Sequence, residues 1–271
     1  MTASTSSIRK AVVLVLLAGA TACGGSFYEV PVETPLQPKL DVSGFQRVLV
    51  AGFVSGGSDE VDTNLETARL LRSQLRSNSE FQVIDADVLE LTSVAEEQSA
   101  GRPEFEALGG NGDNGADAAN GDEEEGGERY SEDDLEILEH IFANASYWQE
   151  IGEEYQQPLI VTGTVYFTPH QRSGMVTRQR EVYDEFGRRR VAPLRAYRDR
   201  RGYVLSPKFI FIDGRTGATL YTERHREEVL YDASRNTPAL SSYFELMDRL
   251  IPSFLSTLSA ETIKGTRMLL K

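Results

Sequence analysis

The one thiol of this chain, Cys23, sits where its chemistry is decided by its neighbours. A cysteine thiolate can be acylated, oxidised or used as a nucleophile. Arg9 and Lys10 close a polar start, Ala11 to Ala20 is a nearly unbroken apolar run, and the small residues Ala20 and Ala22 come just before the cysteine. A short positive segment, an apolar stretch and small residues at a cut site are the features of a secretory signal, here residues 1–22. The apolar run is too short to span a bilayer, which takes about 20 residues. The alternative is an ordinary signal peptide followed by a chance cysteine. With no second cysteine there is no intrachain disulfide, so the domain must rest on a hydrophobic core.

Other residue types that do chemistry are present without the spacing that chemistry needs. His140, His170 and His225 are far apart, and none forms a metal-ligand pair such as H-x-x-x-H. His140 follows Glu136 by four residues, the spacing of an exposed helical ion pair. The stretch Gly52-Phe-Val-Ser-Gly-Gly57 reads as a strand-to-helix loop. It lacks the lysine and hydroxyl of a phosphate loop. No G-x-S-x-G pattern marks a nucleophile. The expectation is therefore no catalytic residue, no cofactor and no metal.

Arginine is the exception. Ten arginines lie between Arg172 and Arg201, against Glu181, Asp184, Glu185 and Asp199, for a local charge of +6. The guanidinium fork suits bidentate pairing with carboxylate or phosphate. Aromatic residues interleaved with arginine form the composition of binding hot spots. The candidate protein-binding surface is therefore Arg178, Arg180, Tyr183, Phe186, Arg188, Arg189, Arg190, Arg195, Tyr197 and Arg198. The competing reading is a solvated edge hairpin guarded by charge. Residues 96–134 carry the opposite balance, fourteen acids against Arg102 and Arg129. The whole chain is at −14 and reaches −16 without residues 1–22, which argues against nucleic-acid binding by the whole chain.

The elements that must hold these residues follow from periodicity. Residues 24–43 read as an extended, proline-bearing tether. Gln46–Val54 reads as a buried strand, 63–77 as a helix with Thr63 and Glu66 at capping-box spacing, 81–85 as a strand and 86–97 as a weaker helix. Residues 99–130, rich in glycine and acid, read as a disordered insertion. Ser131 starts a helix to about Glu153, and Leu159–Phe167 is a strand. Residues 175–183 and 189–201 alternate around Asp184–Gly187 as a projecting hairpin. A second hairpin joins Tyr203–Ile212 to Ala218–Tyr231 around the glycines of Asp213–Gly217. Residues 241–259 form a last helix, kinked at Pro252, whose apolar side packs on the core. The fold class is α/β, an α+β sandwich with a mixed sheet packed by helices. The division is 1–22 signal, 23–44 lipidated cysteine and tether, and 45–265 one domain interrupted at about 99–130.

Two resemblances add to this. The small residues ending at Cys23 resemble the bacterial lipobox. That implies palmitate-type acyl chains on Cys23 and, with Gly24 and Gly25 in place of aspartate, sorting to the periplasmic face of an outer membrane. The pieces Arg47-Val-Leu-Val-Ala-Gly-Phe, Phe81-Gln-Val-Ile-Asp, Leu159-Ile-Val-Thr-Gly-Thr-Val and Phe211-Ile-Asp-Gly-Arg-Thr-Gly-Ala-Thr-Leu-Tyr, with their helices, resemble CsgG-like lipoprotein domains. The same layout recurs in LpoB-type activators of penicillin-binding proteins and in the N-terminal domain of TolB. The resemblance covers about residues 45–92 and 158–260. It omits the acidic insertion and the arginine- and leucine-rich motif of CsgG.

The expected function is a non-enzymatic, lipid-anchored envelope protein that binds another envelope protein, an acidic one by the charge of the arginine hairpin, as scaffold or activator. A homo-oligomer is compatible with the sequence. The alternatives are a CsgG-like subunit of an outer-membrane secretion channel and an envelope hydrolase. A channel strand needs a lipid-compatible face of about 9–11 residues. Both faces of residues 175–183 carry polar side chains.

Overall fold

The computed structural model describes residues 27–100, 130–183, 185–235, 237–259 and 261–270. The signal segment, Cys23 and nearly all of the acidic insertion lie outside them.

Two compact units are present, 38–259 and the two chain ends. In the smaller, β1 (Phe27–Leu36) pairs antiparallel with β8 (Glu261–Leu270), from Phe27 opposite Leu270 to Leu36 opposite Glu261. Lys264 and Glu33 approach to 3.6 Å across it. The segment read as a tether is thus extended, as its prolines favour, and also hydrogen-bonded to a partner strand that the sequence does not signal.

The larger unit is the α/β domain. Its sheet runs β3 (Gln82–Val83), β2 (Arg47–Gly57), β4 (Leu159–Tyr183), β5 (Arg189–Asp213), with β6 (Thr219–Arg224) and β7 (Glu227–Asp232) in succession along the far edge of β5. The β3–β2 and β2–β4 pairs are parallel and the rest antiparallel, so the sheet is mixed. Helices cover both faces. On one, α1 (Thr63–Asn78) and α5 (Ala239–Leu258) pack on Val48, Phe53, Val161, Phe167, Phe209 and Phe211. On the other, α2 (Leu91–Ser99), α3 (Glu132–Leu138), a 3-10 turn (Glu139–Ala143) and α4 (Ala145–Glu154) pack on Leu49, Val54, Ile160, Ile210 and Ile212.

Alternation sorts these side chains, and a bulge keeps the sorting consistent. The β2–β4 register shifts between Val50 and Gly52. The extra residue returns Phe53 to the α1–α5 face. Gly52 has φ +144°, and a Cβ there would lie 2.5 Å from the Leu89 carbonyl oxygen. Only glycine fits that approach. Asn64 closes the bulge, accepting from the Phe53 amide at 2.7 Å and donating to the Leu89 carbonyl at 3.0 Å. Between α1 and α5 the Thr67 and Tyr243 hydroxyls meet at 2.5 Å. Burial pushes the Tyr243 phenol well above its usual range.

Several local expectations are corrected. The cap of α1 is Asp62, which accepts from the Leu65 amide at 3.0 Å, so Thr63 is already helical. The helix starting after Ser131 has the capping box formed with Asp134 but breaks at Glu139. Asn144 then caps α4, and Trp148 Nε1 donates to the Ile141 carbonyl at 2.9 Å across the break. Pro252 lies within α5, whose buried side is the core side. Both expected hairpins form and share β5, which pairs with β4 without interruption from Leu159–Asp213 to Tyr183–Arg189 and with β6 and β7 on its other edge.

Candidate functional site

Past the pairings with β2 and β7, β4 and β5 pair with no other described strand. The β2 pairing ends at Phe167 and the β7 pairing at Arg200. From the row joining Arg172 to Arg200, the two strands run to the turn after Tyr183 as a two-stranded arm. At about 3.4 Å per residue it extends about 35 Å. Its turn contains Gly187 at φ +72°.

Register divides the expected binding residues between two faces. Even positions form one: Arg172, Arg178 and Arg180 on β4, with Arg190, Arg198 and Arg200 on β5. Neither strand places an acid on it. Arg172 and Arg200 stand directly opposite each other, an arrangement that costs energy by like-charge repulsion. Arg198 approaches Asp232 of β7 to 3.7 Å. Val176, Val182, Ala192, Leu194 and Ala196 fill the positions between.

Odd positions form the other face, which largely neutralises itself. Arg189 pairs with Glu181 at 3.1 Å, and Asp199 accepts from Gln171 at 3.0 Å. Arg195, Tyr183 and Tyr197 lie here, and Tyr197 is opposite Met175. At the turn Phe186 is 79% exposed, with the Arg188 guanidinium 5.3 Å from its ring centre. The structure thus places all ten expected residues on one arm, with the arginines sorted by side. That sorting follows from the period of two but needs the register, which the sequence did not supply.

The even face continues the side of the sheet covered by α2, α3 and α4. Tyr130, where the described chain resumes after the acidic segment, lies at the arm's base. Its carbonyl accepts from the Gly57 amide at 2.9 Å, beside Phe167. Its hydroxyl donates to Glu96 at 2.8 Å.

The remaining polar features belong to the framework. Residues 52–57 are strand throughout, so the expected loop is absent there. The cleft of about 250 Å³ beyond them is lined by Asp59, Asp62 and Glu90, whose charge opposes a phosphate. A second cleft of about 310 Å³ holds Arg47 and Arg215. Arg215 is already engaged by Asp213 at 3.2 Å and by the Phe45 ring, and Arg47 by Gln156. His140 does not pair with Glu136. Its Nδ1 lies 3.0 Å from the Ile137 carbonyl, while Glu136 pairs with Arg224 at 3.2 Å. His170 faces Glu228 at 3.7 Å. Among the described residues no group of three or more His, Cys, Asp or Glu is placed to hold a metal.

Sequence reasoning missed the ionic cluster around Glu223. This carboxylate accepts from Lys39 and from Thr257 Oγ1, and His225 Nε2 lies 3.7 Å away. Burial alone would raise its pKa, but the Lys39 and Thr257 hydrogen bonds win and hold it below the usual range. Burial lowers His225, against the opposing charge of Glu223. No motif marks these residues, because they come from three separate stretches of chain.

No protein-family model matches the sequence, and no curated protein matches it. A solved structure similar to the chain is that of lipoprotein GNA1162 from Neisseria meningitidis. It is 12% identical, covers 77% of this chain and 96% of that one, and has a TM-score of 0.31. A likeness at that score carries no argument about fold or function.

Proposed function

We propose that this chain is a lipid-anchored cell-envelope protein that holds another protein on its arm, as a scaffold or activator without a catalytic step. The observation behind this reading is the free-standing arm. A two-stranded ribbon alone is marginally stable in water. This one exposes Met175, Tyr183, Phe186, Val191, Leu194 and Tyr197 while collecting arginines on one face. Exposed aromatic and apolar side chains beside arginine are the chemistry of a protein-binding surface. The anchor is Cys23, on the evidence of the sequence before it. The CsgG-like and LpoB-like resemblance agrees with an envelope setting.

The arm's composition counts against a channel subunit. A barrel strand turns one face to lipid, where an arginine costs about 2–4 kcal/mol at mid-depth. The even face carries Arg178 and Arg180, and the odd face carries Arg189 and Arg195.

A photocrosslinking side chain placed at Tyr197 in intact cells tests the reading. It should capture a discrete partner that the same group at Leu240, exposed on α5, does not. The adduct should weaken when Arg188, Arg189 and Arg190 are changed together to Ser. Identical adducts from both sites would count against the arm.

A further inference from the structure

The backbone of the arm, taken with its arginines, specifies how a partner docks. In an antiparallel pair, successive residues turn their N–H and C=O groups alternately towards the partner strand and away from it. Three hydrogen bonds show which residues face away. The Phe167 carbonyl accepts from Ser58 at 2.7 Å, the Asp199 carbonyl from Ala233 at 3.0 Å and the Pro207 carbonyl from His225 at 2.9 Å. All three residues are odd-numbered, and the β4–β5 register has no shift along its length. Pro169, Pro193 and Pro207 are odd-numbered too, so their missing N–H groups remove no bond between β4 and β5.

The two outer edges of the arm therefore differ. On β5 the outward row is broken by Pro193. On β4 every odd residue from Gln171 to Tyr183 presents both an N–H and a C=O outward, with no proline among them. Within the domain no described strand pairs with this edge beyond Phe167. It continues the line of β2, so a strand added here would extend the sheet in the place β2 leaves vacant.

Side chains then select the occupant. An added strand would carry alternate residues beside Arg172, Arg178 and Arg180 on the even face. Its other residues would lie beside Ser173, Met175, Thr177 and Gln179. Opposite charges across neighbouring strands are favourable and like charges unfavourable. A second copy of this arm would bring arginine against arginine, which disfavours it.

Resting on the reading of the arm as a protein-binding surface, we infer that the partner contributes an extended segment that adds as a strand to the β4 edge. Its carboxylates occupy alternate positions facing the arginines, and uncharged residues lie between. Main-chain bonds supply the attachment and the arginines supply the choice.

The probe is a short synthetic peptide alternating Glu and Thr, titrated against the full chain at low salt. Controls are its Lys/Thr counterpart, the Glu/Thr peptide N-methylated at alternate residues, and vesicles of anionic phospholipid. Two variants separate backbone from side chain. Thr177→Pro deletes one outward N–H without touching a β4–β5 bond, and Arg178→Ser with Arg180→Ser removes charge while sparing the edge. The acidic peptide should bind. The Lys and N-methylated peptides should fail, and each variant should weaken binding about tenfold. If Thr177→Pro alters the arm by circular dichroism, the N-methylated peptide still reads the backbone on the unaltered chain. Full binding of the N-methylated peptide, with loss only in the arginine variant, overturns strand addition and leaves the arm as a side-chain surface. Binding unaffected by either variant overturns both readings. Binding of vesicles but not of the peptide overturns the protein partner.

Discussion

The guanidinium of Arg72 reaches the carbonyl oxygen of Val50 at 2.7 Å, deep between α1 and the sheet. Its other terminal nitrogen reaches the Ala86 carbonyl at the same distance. Val50 immediately precedes the bulge in β2, where the ladder with β4 is interrupted. One side chain thus serves two carbonyl groups in irregular backbone. Burial lowers its pKa, against the charge of Asp85, but arginine stays protonated.

Changing Arg72 to Met should destabilise the domain by about 3 kcal/mol, since two buried acceptors lose their donors. Lysine, with one compact head, should recover only part of this. Urea midpoints with unchanged slopes provide the measurement. A loss below about 1 kcal/mol for Met would show that other donors replace the guanidinium.

Acid should weaken the domain in two separate windows. Folding holds His225 neutral with its pKa depressed, so the unfolded chain takes up that proton first. Stability therefore falls as pH drops below about 6.5, and levels off once the folded histidine also protonates. Glu223, held below its usual range, contributes stability that disappears only at lower pH, as its folded-state carboxyl protonates. His225→Leu should flatten the upper window and keep the lower one, moved somewhat upward because the histidine charge helps hold Glu223 down. An unchanged slope near pH 6 would assign that window to another group.

Removing residues 104–128 should leave the fold intact. The flanks are tied independently, by Tyr130 to Gly57 and to Glu96, and loop-closure cost varies slowly with length. The deletion should also strengthen partner capture at low salt, because it removes tethered acids that rejoin the chain at the base of the arginine face. A stability loss above about 2 kcal/mol would show that the segment packs against the domain.

Replacing Cys23 with Ser should move the protein from the membrane fraction to the soluble one. Mass spectrometry of the parent's N-terminus should find acyl chains on Cys23. A soluble parent without acyl mass would remove the anchor from the proposal.

The sequence made the layers legible where one face of an element is uniformly apolar. Leu159–Phe167, Leu71 with Leu75, and Phe254 with Leu258 all lie in the core as their spacing requires. It misled where a breaker residue sits in a position that tolerates it. The strand read as Leu159–Phe167 runs on to Tyr183, because Pro169 turns its nitrogen outward and Gly174 has open space around it. The arginine cluster was visible as composition, but its sidedness depended on a register set by the Tyr183–Arg189 end and the Leu159–Asp213 end together. Arg72 gave no signal at all. A buried arginine on a helix reads as a surface residue until the bulge that it serves is known.

Under load, β4 and β5 act as a single spring leaf clamped at the row joining Arg172 to Arg200, where the pairing with β7 ends. A sideways push on Phe186 acts through a moment arm of about 35 Å. Bending concentrates where the section is thinnest, at Gly174 opposite Arg198, the one row of the free arm in which a strand lacks a Cβ. A pull along the strands instead loads every β4–β5 bond in shear at once, which is the stiff direction. Tension applied along the arm therefore arrives undiminished at Phe167, beside Gly57 and Tyr130, where the described chain resumes.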